Sequence, residues 1–202
     1  MALVARKTYT PEEYLALERQ AEYRSEYVNG EIYAMAGASE AHVTITTNLL
    51  VQIHQQIQGK PCRVYAIDLR VKISPTGMYT YPDVVAACGE RQFNDARDTL
   101  TNPTVIAEVL SPSTEAYDRG EKFAHYRKLP SLQEYVLVAQ DKVRVERYVR
   151  HGEDWLLTEI SDPNATLQLT SIGCAIPLTD IYSNVDFPTE PAPLRPQAPP
   201  SS

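Results

Sequence analysis

Long hydrophobic runs, cysteines and a surplus of basic residues are all scarce in this 202-residue sequence. No uninterrupted apolar run approaches the roughly 18 to 20 residues that a membrane-spanning helix needs. Residues 1–10 contain no apolar stretch of the kind that marks a signal peptide. These absences predict an intracellular, cytoplasmic protein with no membrane partner.

The chain has three cysteines, Cys62, Cys88 and Cys174, which are odd in number and far apart. Disulfide frameworks use even sets of cysteines, and structural zinc sites use closely spaced pairs. The sequence predicts neither arrangement, and we expect reduced, mostly buried thiols.

Basic residues number 19 against 26 acidic residues, which gives a formal net charge of −7. Domains that coat nucleic acid by bulk attraction usually carry a basic surplus. The net charge argues against that class of protein and leaves open a local basic groove.

Proline is concentrated near the C-terminal end. Residues 187–202 hold six of the 15 prolines and almost no large apolar side chains. This composition favours extended, solvated backbone. We therefore expect one domain over residues 1–186 and a disordered Pro-rich tail over 187–202.

Local patterns predict that helices and strands are mixed along the chain. Thr10-Pro11-Glu12-Glu13 is typical of a capped helix start, and Asn29-Gly30 is typical of a two-residue hairpin turn. Apolar periodicity predicts helices over 39–59 and 114–129. Alternating or apolar segments predict strands over 63–73, 81–87, 104–110, 134–139, 143–150 and 155–160. This order indicates an α/β or α+β protein with a mixed β-sheet core flanked by helices.

Two carboxylates lie inside apolar strand segments, Asp83 in YPDVVAA and Glu108 in VIAEVL. A carboxylate in such a place costs several kcal/mol unless it is paired, hydrogen-bonded or metal-bound. Asp83 could accept a backbone hydrogen bond at a turn. Glu108 could pair with a buried arginine or lie at a strand end nearer the surface than its neighbours suggest. Two carboxylates at the ends of neighbouring strands are also what Mg²⁺ requires, and this second interpretation explains both residues together.

Asp118, Lys122 and Tyr126 follow at intervals of four, so they share one face of the predicted helix. Spacing alone is compatible with a surface ion pair between Asp118 and Lys122. The functional interpretation assigns Lys122 to holding or deprotonating an attacking water.

These residues together resemble the Uma-two family within the PD-(D/E)xK restriction-endonuclease-like superfamily. The resemblance covers residues 8–186 and is carried by EYVNGE at 26–31, His42, YPDV at 81–84, EVLSPST at 108–114, Asp118, Lys122, Tyr126 and LQEY at 132–135. It implies a restriction-endonuclease-like fold and a Mg²⁺-dependent endonuclease, with Mn²⁺ as a substitute, that acts on DNA as a homodimer.

The resemblance implies Asp83 and Glu108 as metal ligands and Asp83, Glu108 and Lys122 as catalytic residues. The lysine of the superfamily usually stands two residues after the second acid, where this chain has Leu110. The similar branch supplies a lysine from the following helix, and Lys122 matches that position.

Further residues could complete the site. Glu31 resembles an N-terminal acid that some superfamily members direct at the metal, but it could also be an exposed hairpin charge. Asp68 lies on the polar face of its predicted strand, and His42 could contact phosphate or be a core histidine. Asp118 and Tyr126 are candidates through their shared face with Lys122.

Two other functions remain open at this stage. Leu110 and the negative net charge are compatible with a nuclease fold that no longer cuts and serves as a binding or dimerisation module. A hydrolase acting on another phosphoester is the third alternative.

Overall fold

The structure is a computed structural model that describes residues 7–35, 37–66, 68–73, 76–94 and 96–188. The helical elements in this part of the chain are α1 (Pro11–Glu18), α2 (Glu40–Gln56), α3 (Glu115–Tyr117), a π-helical turn (Asp118–Lys122), α4 (Phe123–Tyr126) and α5 (Leu178–Ile181). The strands are β1 (Ser25–Val28), β2 (Glu31–Ala34), β3 (Cys62–Ala66), β4 (Arg70–Ile73), β5 (Met78–Thr80), β6 (Val84–Cys88), β7 (Thr99–Leu100), β8 (Val105–Leu110), β9 (Glu134–Ala139), β10 (Val145–His151), β11 (Asp154–Ile160), β12 (Thr166–Leu169) and β13 (Cys174–Pro177).

The strands form a central sheet and two smaller ones. The central sheet has the order β11-β10-β9-β8-β6-β3, the second sheet has the order β2-β1-β5-β4-β7, and β12 pairs with β13. The β8–β9 and β4–β7 pairs are parallel, whereas the other ladders are antiparallel. The expected α+β fold with a mixed sheet is confirmed.

Strand β8 separates two hydrophobic cores because its side chains alternate between the faces of the central sheet. Val105, Ala107 and Val109 pack in a core with α2, α5 and the β12–β13 hairpin. Ile106 and Leu110 pack on the other face, in a core with the second sheet and α4. Glu108 faces this second core.

Several local predictions are confirmed. Thr10 Oγ1 accepts a hydrogen bond from the backbone of Glu13, whose side chain accepts one from the backbone of Thr10. Asn29 and Gly30 have φ values of 51° and 91°, as the two-residue turn between β1 and β2 requires. The apolar periodicity that predicted a helix over 39–59 corresponds to a buried face of α2 and its C-terminal cap, at Ile45, Leu49, Ile53 and Ile57.

The prediction of one strand over 63–73 is wrong. β3 belongs to the central sheet and β4 to the second sheet, with a turn near Asp68 between them. Alternation continues in the sequence through this turn, and a period of two cannot show that the chain changes sheets. The 81–87 segment is likewise only partly a strand, because β6 begins at Val84.

The predicted helix over 114–129 consists of α3, the π-helical turn and α4, and it ends at Tyr126. The short elements β5, β7, β12, β13 and α5 were not predicted. Each has four residues or fewer, which is too short for a periodic pattern to be distinctive.

The prediction of three reduced cysteines is also wrong. Cys62 of β3 lies directly opposite Cys88 of β6, and their sulfurs form a disulfide with the Cα atoms 4.0 Å apart. Cys174 is a buried free thiol. A separation of 26 residues gives no sign of the pairing, which depends on the antiparallel register of the two strands.

The C-terminal end of the described chain packs on the domain. The Phe187 ring lies 5.5 Å from the Tyr182 ring, centroid to centroid. Residues 189–202, most of the predicted tail, lie outside the described residues. Among the helices that the structure describes, none is long and apolar enough to cross a membrane.

The disulfide makes a prediction for stability. A cross-link that closes a loop of this length stabilises the folded state by about 3 kcal/mol, so the double variant Cys62→Ala/Cys88→Ala should lose about that much free energy of unfolding. Urea denaturation measures the loss, and a reducing agent should destabilise the wild type but not the double variant. Three titratable thiols in unreduced, denatured wild-type protein would contradict the bridge.

Candidate functional site

Asp83 and Glu108 lie side by side and hold each other in place. Asp83 immediately precedes β6, which pairs with β8 so that Val84 lies opposite Ala107. The backbone N–H of Asp83 donates to Glu108 Oε2 at 3.2 Å. The backbone N–H of Val109 donates to Asp83 Oδ2 at 2.7 Å. Asp83 therefore does accept a backbone hydrogen bond, but the donor belongs to the neighbouring strand rather than to a local turn.

Lys122 supplies the positive charge of the site. Its Nζ lies 3.0 Å from Glu108 Oε1, 3.1 Å from Glu26 Oε1 and 3.6 Å from Asp118 Oδ1. The lysine side chain is only 8% exposed, which rules out an ordinary surface ion pair with Asp118. The partner of Glu108 is thus a lysine from the π-helical turn, not an arginine.

Hydroxyl groups complete the polar contacts. Tyr126 donates its hydroxyl hydrogen to Glu108 Oε1 at 2.8 Å, and its oxygen lies 3.3 Å from Thr80 Oγ1. The Thr80 hydroxyl in turn donates to Glu26. These contacts hold the carboxylates of β1 and β8 in defined orientations on either side of Lys122.

His42 contacts the site rather than the core. Ser39 caps α2 by accepting a hydrogen bond from the backbone of His42, which lies in the first turn. The His42 Nε2 atom lies 2.9 Å from Asp83 Oδ1. Each oxygen of Asp83 therefore has its own partner, the imidazole of His42 for Oδ1 and the N–H of Val109 for Oδ2.

The structure brings Asp83, Glu108, Lys122, Asp118, Tyr126 and His42 together. Asp68 lies elsewhere, with its side chain 73% exposed and paired with Arg24. Glu31 lies on β2, half-buried, and accepts a hydrogen bond from the hydroxyl of Tyr33.

Glu26 is the site residue that sequence reasoning missed. It lies on β1, five residues before Glu31, and its side chain is 12% exposed. The available signal was an acid within the short strand segment SEYV, which is the same signal that identified Asp83 and Glu108. Glu31 was predicted as the N-terminal acid of the site instead, because it directly follows the Asn29-Gly30 turn.

Burial and crowding of charge decide where protons reside. Burial raises the pKa of Glu108 to about 8, an effect that Lys122 opposes and Asp83 and Asp118 reinforce. Burial lowers the pKa of Lys122, but Glu108, Glu26 and Asp118 outweigh it, and the pKa lies well above its ordinary value. Lys122 is therefore protonated at neutral pH, and an acid beside it retains a proton.

The donor set fits a hard cation held by few protein ligands. Within the described ranges, no group of three or more His, Cys, Asp or Glu side chains is arranged to hold a metal ion. Asp83 and Glu108 provide two adjacent carboxylates, and Mg²⁺ is commonly bound by one or two carboxylates together with water and phosphate oxygens. The residues thus fit Mg²⁺ or Mn²⁺ and do not fit a four-ligand zinc site.

Glu108 should make stability depend on pH when no divalent cation is present. Between its ordinary pKa of 4.5 and about 8, folded Glu108 keeps a proton that the unfolded chain has released. The free energy of unfolding should therefore fall as the pH rises through this window. Urea denaturation in a chelator should show a steeper fall for the wild type than for Glu108→Gln, with Asp68→Asn as the control. Parallel profiles for wild type and Glu108→Gln would contradict the assignment.

Removing Lys122 should leave the surrounding carboxylates without a compensating positive charge. We expect Lys122→Met to lower the free energy of unfolding at neutral pH by about 3–5 kcal/mol, as for other broken buried ion pairs. Adding Glu26→Gln should recover part of that loss, because the double variant removes one of the carboxylates that lose their partner. A double-mutant cycle by urea denaturation measures this coupling, and strictly additive losses would show that the two groups do not interact.

Comparison with known proteins adds independent information. The Uma2 family model, described as "Putative restriction endonuclease", matches residues 11–179. Two proteins of Synechocystis sp. strain PCC 6803 are similar, both called uncharacterized: sll1609 is 40% identical over 84% of this chain and 97% of its own length, and slr1290 is 39% identical over 88% and 93%. A solved structure of a "putative nuclease belonging to DUF820" from Anabaena variabilis superposes with a TM-score of 0.73 at 21% identity, covering 87% of this chain and 98% of that one. The last likeness shows a shared fold.

Proposed function

We propose that this chain, which belongs to the Uma2 family described as "Putative restriction endonuclease", is a Mg²⁺-dependent endonuclease that hydrolyses phosphodiester bonds in DNA. The proposal joins the family assignment to the chemistry of the buried acid–lysine cluster.

One observation carries the proposal: Lys122 Nζ lies 3.0 Å from Glu108 Oε1, although no lysine follows Glu108 on its own strand. Leu110 occupies that strand position and packs in the core beside Tyr126 and Leu129. The lysine reaches the second acid from the π-helical turn instead. Asp83, Glu108 and Lys122 thereby form a group of two acids and a lysine, the set expected for metal-dependent hydrolysis of a phosphodiester.

Asp83 and Glu108 would hold Mg²⁺, which when bound polarises a phosphoryl oxygen and lowers the pKa of a coordinated water. His42 and the N–H of Val109 orient the carboxylate of Asp83. Tyr126 and the N–H of Asp83 orient that of Glu108. The chain itself therefore presents both acids in defined positions.

The state of Lys122 favours one of its two predicted roles. A lysine whose pKa is raised by three carboxylates keeps its proton at neutral pH, so it is unsuited to remove a proton from water. A protonated ammonium can donate hydrogen bonds to a water or to a phosphate oxygen. We assign Lys122 to holding the nucleophile and compensating negative charge.

Asp83→Asn provides the direct test of activity. The amide keeps the size of the side chain and an oxygen that can accept from Val109, but it loses the charge that a cation needs. We expect cleavage of supercoiled plasmid with Mg²⁺ or Mn²⁺ to fall by at least about a hundredfold. Asp68→Asn, an exposed carboxylate outside the cluster, is the matched control and should cut at the wild-type rate. Full activity of Asp83→Asn would refute the proposal.

A wild-type protein without nuclease activity would favour one of the two alternative functions. If neither metal supports cleavage of single- or double-stranded nucleic acid, the binding or dimerisation module becomes the better description. Turnover of a small phosphodiester without nucleic-acid cleavage would instead favour a hydrolase with another substrate.

A further inference from the structure

Strand β11 is an unprotected edge of the central sheet. It pairs along its whole length with β10, and no strand in the described part of the chain pairs with its other side. Leu156 and Leu157 are 65% and 49% exposed, and they point to opposite faces of the sheet. Soluble proteins usually protect such edges with charged side chains, above all lysine, or with proline or a bulge. The β11 sequence, DWLLTEI, has acids only near its two ends, at Asp154 and Glu159, and contains no lysine or proline, and its register with β10 is continuous.

The register of the hairpin identifies the backbone groups that point outward. Residues 152 and 153 form a two-residue turn, with Gly152 at φ 65°. The pair that closes such a turn is hydrogen-bonded, and hydrogen-bonded and non-hydrogen-bonded pairs then alternate along an antiparallel ladder. The N–H and C=O groups of Trp155, Leu157 and Glu159 are therefore directed away from β10. Trp155 and Glu159 lie two residues before and two residues after Leu157, so the outward-directed groups are spaced evenly about Leu157.

We propose that β11 pairs antiparallel with β11 of a second copy of this chain, about a two-fold axis at Leu157. In this register each outward-directed residue meets another one: Leu157 meets its own copy and Trp155 meets Glu159. Leu156 meets Thr158 on the opposite face. The pairing joins two six-stranded sheets into one continuous sheet and covers the exposed leucines, as an isologous interface requires.

Charge selects this register over its neighbours. With the axis at Leu157, neither Asp154 nor Glu159 faces another acid. An axis at Glu159 would place two carboxylates directly opposite each other, which destabilises a strand pair. An axis at Trp155 would bring the residues of the turn into the ladder. Of these three registers, the one centred on Leu157 alone uses all three outward-directed residues without like-charge contact.

The Pro-rich segment at residues 189–202 is a poor alternative occupant. Residues 189–202 contain five prolines in fourteen positions. Proline has no N–H to donate, so this segment cannot complete a regular ladder with β11. A second copy of β11 supplies both donors and acceptors at the required spacing.

Sedimentation velocity over a concentration series tests the interface. The wild type should show a growing dimer fraction, and Leu157→Lys should weaken dimerisation by at least about tenfold, because each dimer would then bury two lysines at its axis. Leu17→Lys is the matched control, since Leu17 on α1 is 51% exposed, and it should dimerise like the wild type. A wild-type monomer at every concentration would overturn the proposal, and protection of β11 amides from hydrogen exchange in that monomer would indicate coverage by the chain itself.

Engineered thiols test the register. Leu157→Cys should form a covalent dimer with oxidised glutathione, because the axis places the two new thiols opposite each other at a separation suited to a disulfide. Glu159→Cys should not, since its two copies would lie about 13 Å apart along the strands. The native cysteines give little background, because Cys62 and Cys88 are bonded and Cys174 is buried. Equal cross-linking of both variants would refute this register, and neither measurement depends on nuclease activity.

Discussion

The buried ammonium of Lys122 is the interaction on which the site depends. A charge that is removed from water costs several kcal/mol unless nearby groups of opposite charge replace the lost hydration. Here Glu26, Glu108 and Asp118 provide that replacement. They come from β1, from β8 and from the π-helical turn, so one cation connects the second sheet, the central sheet and the helical segment.

Lys122 reaches the site from the π-helical turn and not from strand β8. Such turns insert an extra residue into a helix and are frequent at functional sites. In this chain the turn spans Asp118–Lys122, and the backbone carbonyl of Asp118 accepts a hydrogen bond from the buried hydroxyl of Tyr135 at 3.1 Å. The lysine is thus anchored at both ends, through its ammonium and through the backbone four residues earlier. The same arrangement leaves Leu110 free to contribute to the core.

The carboxyl groups of the two acids differ in environment, although the backbone N–H of Asp83 donates to Glu108. Glu108 is surrounded by protein, and burial raises its pKa. Asp83 lies at the start of β6, where His42 and the N–H of Val109 hold its oxygens. A divalent cation between them would relieve the repulsion that otherwise favours a proton on Glu108. Metal binding and proton release at this site are therefore expected to be coupled.

Local sequence determined many of the helices, strands and turns, and it identified two of the acids in the site. The capping residues of α1, the Asn29-Gly30 turn and the apolar runs of β8 and β9 act through neighbours in the chain, and they were predicted for that reason. Asp83 and Glu108 were conspicuous because a carboxylate in an apolar strand needs a partner. Tertiary structure alone decided the identity of those partners, since Glu26, the Cys62–Cys88 bridge and the division of 63–73 between two sheets depend on strand register between distant segments. Side-chain periodicity reports which residues are buried, whereas register decides which buried residues meet.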